Sequence, residues 1–302
     1  MSLTMSEPAP ELSIIIAVCN AAKLLDETLA GFPARAPFCY EVVIQDAMSG
    51  DATEQVVLDH AQLPISYERA RDCGIYDAWN KALPRVRGKW AIFLGAGDSL
   101  DWPALAQCVS ELRQLPDSVE YYATPVQLVT PSGSALELMY PSATPRRDLP
   151  QGMSLPHPGL FHRSTLFLAH KFDASCRIAG DYDFLCRTLR EDNVRLGCHP
   201  FSSMLTGGVS GNMDSMFASE RELLRLSRKY FPKSVHLKPL LRLARSGGYL
   251  AVRRLCGARV AGYVADLPRL IQGKPRLWSL PEQKPLISLP PIPDQPSIDL
   301  LV

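Results

Sequence analysis

The 302-residue chain has eight cysteines, at 19, 39, 73, 108, 176, 186, 198 and 256, but no Cys-x-x-Cys pair and no regular spacing. That excludes a zinc ribbon and a secreted disulfide framework, and it points to reduced thiols in a cytoplasmic compartment. No apolar stretch is long enough to span a bilayer, and none reads as a signal peptide. Charge is nearly balanced at +1, so it names no partner. No G-x-G-x-x-G follows the first apolar run, against a dinucleotide oxidoreductase. AVCNAAKLL is also not the Gly-rich basic loop with which a nucleotidyltransferase holds a triphosphate. No internal repeat is evident.

What is present is alternation. LSIIIAV (12–18), YEVVIQ (40–45), ISYER (65–69) and KWAIFL (89–94) read as strands. Between them AKLLDETLAGF, ATEQVVLDHA and GIYDAWNKAL carry apolar residues at helical spacing, and Asp51 with Glu54 has the spacing of an N-cap and capping box. This order predicts an α/β fold, a mostly parallel central sheet flanked by helices. After Leu115 the pattern changes. EYYATPVQLV with SALELMY predicts a hairpin or meander, and Pro-rich SATPRRDLP a mobile loop. Helices are expected around 163–170 and 181–191, then the strand NVRLGCHPF, a GGVSG turn and the helix DSMFASERELLRLSRKYF. This half is expected to pack on the first.

The tail differs in composition. Residues 237–276 hold nine Lys/Arg against one acid, Asp266, a net of +8 in a chain of +1. Leucines and valines are interleaved with these cations in two expected helices broken at Gly247-Gly248. Two readings stand side by side: segments lying on an anionic membrane surface, or helices packed on the core with a solvated basic face. Few aromatics among the cations make a poor stacking platform, so no nucleic-acid partner is expected. Residues 1–10 read as a flexible start, and 281–302, with six prolines, as an extended or disordered tail.

Ligands of parallel α/β sheets sit beyond the carboxyl ends of the strands, so acids there are informative. Asp46 directly follows the second strand, Asp72 lies shortly after the third, and Asp98 closes GAGD after the fourth. Asp181 and Asp183 open a helix late in the chain. Any one of them alone is equally a turn or cap residue. Three strand ends delivering carboxylates to one rim is a stronger pattern.

These pieces resemble a family 2 glycosyltransferase, an inverting enzyme of GT-A type that uses nucleotide sugars. The matching stretches are LSIIIAVCNAAKLLDETL, VVIQDAMSGDAT, RDCGIYDAWNKAL with RGKWAIFLGAGDSL, HPGLFHRSTLF, FDASCRIAGDYDFLCR, and GGVSGN before a Glu-containing helix. They cover roughly residues 11–230. GIYDAWNKAL with FLGAGD is close to the subgroup that builds bacterial exopolysaccharide, O-antigen or colanic-acid-like units. The resemblance implies a GT-A (Rossmann-like) domain over 11–232, with a nucleotide-sugar half at 11–115 and an acceptor half at 116–232. A basic helical extension at 233–280 lies beyond it.

The resemblance also implies roles. Val18, Asp46, Asp72, Gly95 and Asp98 would bind the nucleotide sugar, by family habit a UDP-sugar, with GDP- or TDP-sugars open. Asp46 would accept the N–H of the base and Asp72 would help hold the ribose; an N-cap role for Asp72 stays open. Asp98 matches the last acid of the D-x-D-like signature and would bind Mn²⁺ or Mg²⁺, although Gly97 replaces the acid before it. One carboxylate suffices where a diphosphate supplies the other ligands. Asp181 would be the catalytic base that activates a saccharide or lipid-linked acceptor. Asp77, Asp183, His157, Arg71 and Lys81 carry lesser weight. The enzyme would act in the cytoplasm or peripherally at the inner face of the plasma membrane. A non-catalytic GT-A-like binding module is the alternative, and Gly97 is its support.

Overall fold

β1 (Leu12–Val18) has no polar side because both of its faces are covered. Leu12, Ile14, Ile16 and Val18 enter one apolar cluster, while Ile15 enters a second on the opposite face. The same split recurs in β2 (Tyr40–Asp46), where Val42 and Ile44 oppose Val43, and in β4 (Trp90–Gly95), where Ile92 and Leu94 oppose Phe93. β3 (Ile65–Arg69) closes the edge and is correspondingly more exposed. The computed structural model describes residues 9–207 and 213–279.

One face is covered by α1 (Ala22–Ala30) and α4 (Trp102–Leu112), with Val57 of α2 (Thr53–Asp59). The other is covered by α3 (Ile75–Ala82) and by helices from the second half of the chain. α5 (Pro145–Asp148) and α6 (Leu166–Ala169) are single turns, followed by α7 (Gly180–Thr188) and α8 (Met213–Tyr230). α9 (Leu237–Cys256) and α10 (Ala258–Ile271) complete the described chain.

The main sheet has seven strands, ordered β10-β6-β9-β4-β1-β2-β3 with β6 (Tyr121–Ala123), β9 (Leu160–Arg163) and β10 (Val194–Leu196). β9 runs antiparallel to both β4 and β6; the remaining pairs are parallel. Strands from after residue 115 therefore extend the first half's sheet. A second sheet, ordered β5-β11-β7-β8, is built from β5 (Ser99–Leu100), β7 (Val126–Val129), β8 (Ala135–Met139) and β11 (Ser202–Leu205). No helix among the described residues is long and apolar enough to cross a membrane.

Several expectations need correction. The expected hairpin forms only from Val126 onward, where β7 pairs antiparallel with β8; β6 joins the main sheet instead, and the change falls at Thr124-Pro125, where proline offers no N–H to a ladder. SATPRRDLP is not a loop without structure. It forms α5 and a 3-10 turn, with the Ser142 and Thr144 hydroxyls bonded to Asp148. Residues 160–163 are strand, so the expected helix near 163–170 is only α6. Asp51 does not cap α2, whose N-cap is Ala52; it bonds Thr53 and reaches across to the Ala22 N–H at 2.9 Å, tying α2 to α1. The tail helices do not break at Gly247-Gly248. α9 runs through them, and a Cβ at 247 would lie 3.3 Å from the Phe217 ring of α8. The break is at Gly257, whose φ of +87° belongs to the left-handed region. The expectations for 1–8, for 281–302 and for most of the GGVSG turn lie outside the described residues.

Candidate active site

Register brings the strand ends together. In the parallel ladders Val18 stands beside Asp46, Ala17 beside Gly95, and Asp46 beside Arg69, three residues before Asp72. The loops after β1 and β2 are knitted by the Asn20 side chain, which accepts the Gly50 N–H at 2.8 Å, while the Asn20 N–H donates to the Ser49 hydroxyl. Cys19 lies in this corner; burial and the charges of Asp72, Asp46 and Asp51 push its thiol pKa up. Val18, Asp46, Asp72 and Gly95 thus share one rim.

Asp46 is fully buried. Its carboxylate takes the Ser49 N–H at 2.9 Å, the Ser49 hydroxyl at 2.5 Å and the Tyr67 hydroxyl at 2.8 Å, with Arg69 3.6 Å away. Oδ1 already holds both Ser49 donors, so a base N–H would have to use the second lone pair of Oδ2, beside Tyr67 and Arg69. Asp72 accepts the Gly74 N–H at 3.0 Å, as a turn residue before α3; the N-cap itself is Gly74. Burial raises the Asp72 pKa. Asp77 is a brace that takes the Cys73 N–H and pairs with Lys81 at 2.7 Å.

Asp98 is held in the GAGD turn. One carboxylate oxygen accepts the Gly95 N–H and the other the Leu205 N–H of β11, both at 2.9 Å, and burial pushes its pKa up to about 6. Thr28 on α1 donates to the Asp98 carbonyl and accepts from the Gly97 N–H, fastening the turn to the first helix. An ionised carboxylate has about four lone-pair sites, so each oxygen keeps one for a cation. The fit is that of a single protein ligand, not a cage. Among the described residues the one three-group set of metal-binding type is Asp173, Cys176 and Asp183, and there Asp183 already pairs with Arg187 and Tyr230.

Gly97 reads differently in three dimensions. Its φ is +97°, and a Cβ there would meet Leu205 Cδ2 at 2.8 Å and Leu24 Cδ2 at 3.2 Å. The position is a tight turn against α1 and β11, not an acid site waiting to be refilled. Gly97→Asp is accordingly expected to lower the melting temperature without tightening Mn²⁺ binding, as thermal melts with and without metal would register. A more stable protein with tighter metal binding would refute this.

Asp181 opens α7, far along the chain, yet α3 connects it to the rim. The Tyr76 hydroxyl donates to the Ile178 carbonyl at 2.6 Å and lies 3.2 Å from Asp181 Oδ1, which also takes the Tyr182 N–H at 2.8 Å. Burial pushes the Asp181 pKa up to about 6. The loop before it is fixed by Glu222 of α8, whose carboxylate accepts the N–H groups of Arg177, Ile178 and Ala179 at 3.0, 2.8 and 2.9 Å. Asp183, by contrast, is turned into the core side. His157 is half-buried and stacked on Trp79 with centroids 5.1 Å apart, and desolvation pulls its pKa down to about 4, so it is neutral. Sequence reasoning passed over Thr28, Ser49, Tyr76 and Glu222. Each acts on a partner distant in sequence or through a common hydroxyl; only the Glu-containing helix hinted at one of them.

A family model described as Glycosyl transferase family 2 matches residues 13–165. A PGL/p-HBAD biosynthesis glycosyltransferase of Mycobacterium tuberculosis is 28% identical over 190 residues, covering 59% of this chain and 70% of that one. Among solved structures, the S. aureus TarS 1–349 complex with UDP superposes with a TM-score of 0.54 at 16% identity, over 86% of this chain and 78% of that one. Mannosyltransferase PcManGT from Pyrobaculum calidifontis, in complex with GDP-Man and Mn²⁺, gives 0.56 at 15% identity, over 87% and 80%. At such identities these two speak for the fold, a GT-A α/β architecture. The family match spans just over half of the chain, so the protein described here belongs to glycosyl transferase family 2.

Proposed function

We propose that the chain transfers a sugar from a nucleotide-sugar donor, a UDP-sugar by preference, to a saccharide or lipid-linked acceptor with inversion, in cell-surface polysaccharide assembly. Residues 11–115 would bind the donor and 116–232 the acceptor. One observation carries this reading: Tyr76 joins the donor rim to Asp181, so an acid from the second half stands beside the strand ends of the first. Val18, Asp46, Asp72 and Gly95 would frame the nucleotide. Asp98 would hold Mn²⁺ or Mg²⁺, which when bound supplies positive charge against the departing diphosphate.

In the reaction the acceptor oxygen bonds to the anomeric carbon from the side opposite the leaving group. The carbon–oxygen bond to the diphosphate breaks, and the nucleoside diphosphate departs with that electron pair. The acceptor proton goes to Asp181. Tyr76 and the Tyr182 N–H both hold Oδ1, leaving Oδ2 to take it. A pKa of about 6 leaves the carboxylate ionised at neutral pH yet basic enough to share a proton in the transition state.

Calorimetric titration of UDP, GDP and TDP, each with Mn²⁺ and with chelator, tests the donor site. One nucleotide is expected to bind with Mn²⁺ and to weaken at least about tenfold on chelation or in Asp98→Asn. If no nucleotide binds under any condition, transfer is the wrong reading and the chain is a non-catalytic module.

A further inference from the structure

We propose that the α9–α10 hairpin is an anchor that lies flat on an anionic lipid surface. The proposal deepens the peripheral placement expected from sequence and stands independently of the transfer chemistry.

α10 is amphipathic in the unusual sense. Its inward face is Ala261, Gly262, Ala265 and Asp266, all buried. Its outward face is Val260, Tyr263, Val264, Leu267, Leu270 and Ile271, each between 40% and 79% exposed. These fall at i, i+3, i+4, i+7, i+10 and i+11, one continuous stripe. α9 repeats the arrangement. Leu237, Leu241 and Leu255 are 59%, 60% and 85% exposed, and Ala244, Gly248 and Ala251 fill the turns between them on the same outward line. An ordinary surface helix shows water mainly its charged residues; these two show it leucines and valines beside their cations.

Within 237–276 the exposed charges beside the stripes are all positive. The only acid of 237–276, Asp266, is fully buried and accepts the N–H groups of Leu277, Trp278 and Ser279, so it offers nothing at the surface. Arg242 is taken by Glu220, and Arg269 and Lys274 by Glu137. Lys238, Arg245, Arg254 and Arg259 remain exposed along the flanks of the stripes. Apolar faces bordered by cations, on helices with no exposed acid of their own, are complementary to anionic headgroups over acyl chains. A second copy of the same face would bring like charges together. Neither helix is long and apolar enough to cross, so the hairpin lies in the surface rather than through it.

The anchor is also coupled to the enzyme. Glu137, which clamps Arg269 and Lys274 at 3.2 and 2.5 Å, sits on β8, and the β7–β8 turn lines a cleft of about 430 Å³ with Asn20, Lys23, Asp51 and Gly97. An acceptor held in the same membrane would be presented to that side of the molecule.

The test is co-sedimentation of the full chain with phosphatidylcholine vesicles and with vesicles containing equimolar phosphatidylglycerol, at low and high salt. Binding is expected only to the anionic vesicles and only at low salt. Arg254→Ala with Arg259→Ala should weaken partitioning about thirtyfold, at roughly one headgroup attraction per cation. Leu267→Asp with Ile271→Asp should abolish it while the melting temperature and nucleotide titration stay as in wild type, since both side chains are exposed. No pelleting at low salt, or equal pelleting of the Leu267/Ile271 variant, overturns the proposal. So does a wild-type dimer that the same variant converts to monomer without loss of vesicle binding, because the face is then an interface between copies.

Discussion

Asp181→Asn is expected to lower kcat between about a hundredfold and ten-thousandfold, the range a positioned general base supplies, while the affinity for the donor nucleotide changes little. The amide keeps an oxygen for the Tyr182 N–H and the Tyr76 hydroxyl, so the loop and the α3 contact persist. What is lost is the group proposed to take the acceptor's proton. The wild-type rate should rise with pH through about 6, as Asp181 ionises, and level off above. Because Asp98 is also raised to about 6, the comparison is made at saturating Mn²⁺, which would hold that carboxylate ionised, and the variant's residual rate should then lack the limb.

The linkage to stability runs in the opposite sense to an ordinary salt-bridged acid. Burial raises both Asp181 and Asp98 above the usual 3.8. Their contribution is therefore present below about that value and lost as pH climbs through 6, where a buried carboxylate must carry charge. Asp181→Asn should consequently melt no lower than wild type at neutral pH. A variant that melts well below wild type would overturn the linkage argument; one that keeps full kcat with the same pH limb would remove Asp181 from the reaction.

The parts legible in sequence are those set by local pattern and by a rule about strand ends. β1, β2 and β4 announce themselves because two-sided burial removes every polar interruption from their cores. Asp46 and Asp98 stand out as the first acids after the second and fourth of the runs read as strands. The remainder depends on contacts between distant segments. Thr28 matters through a turn 69 and 70 residues away, and Tyr76 through Asp181, 105 residues on. Gly97 shows the limit most clearly. In sequence it is a carboxylate that is missing; in the fold it is a left-handed turn wedged against Leu205 and Leu24. In α9, Gly247-Gly248 looks like a break, but packing against Phe217 favours a residue without a side chain and carries the helix through.

Glu222 is where this hidden layer is most exposed to experiment. Its carboxylate satisfies three consecutive backbone N–H groups in the loop that delivers Asp181. Glu222→Ala leaves those donors without an acceptor and should cost about 2–3 kcal/mol, seen as a lower melting temperature, because a charged acceptor is removed from partly buried donors. With the loop loosened, kcat should fall by about tenfold or more while the donor KM is nearly unchanged, since Asp46, Asp72 and Asp98 lie elsewhere. Glu222→Gln separates positioning from mere folding. It retains one acceptor oxygen, so part of the stability and rate should return. It also deletes a negative charge that raises the Asp181 pKa, so the acidic limb of the rate profile should move to lower pH. The shift should be smaller than the effect of burial, which is the first cause of the raised value. A Gln variant with restored rate and an unmoved limb would mean that Glu222 supports the loop without sensing the base. A limb displaced downward would tie α8 electrostatically to Asp181 and support its proposed role as the base.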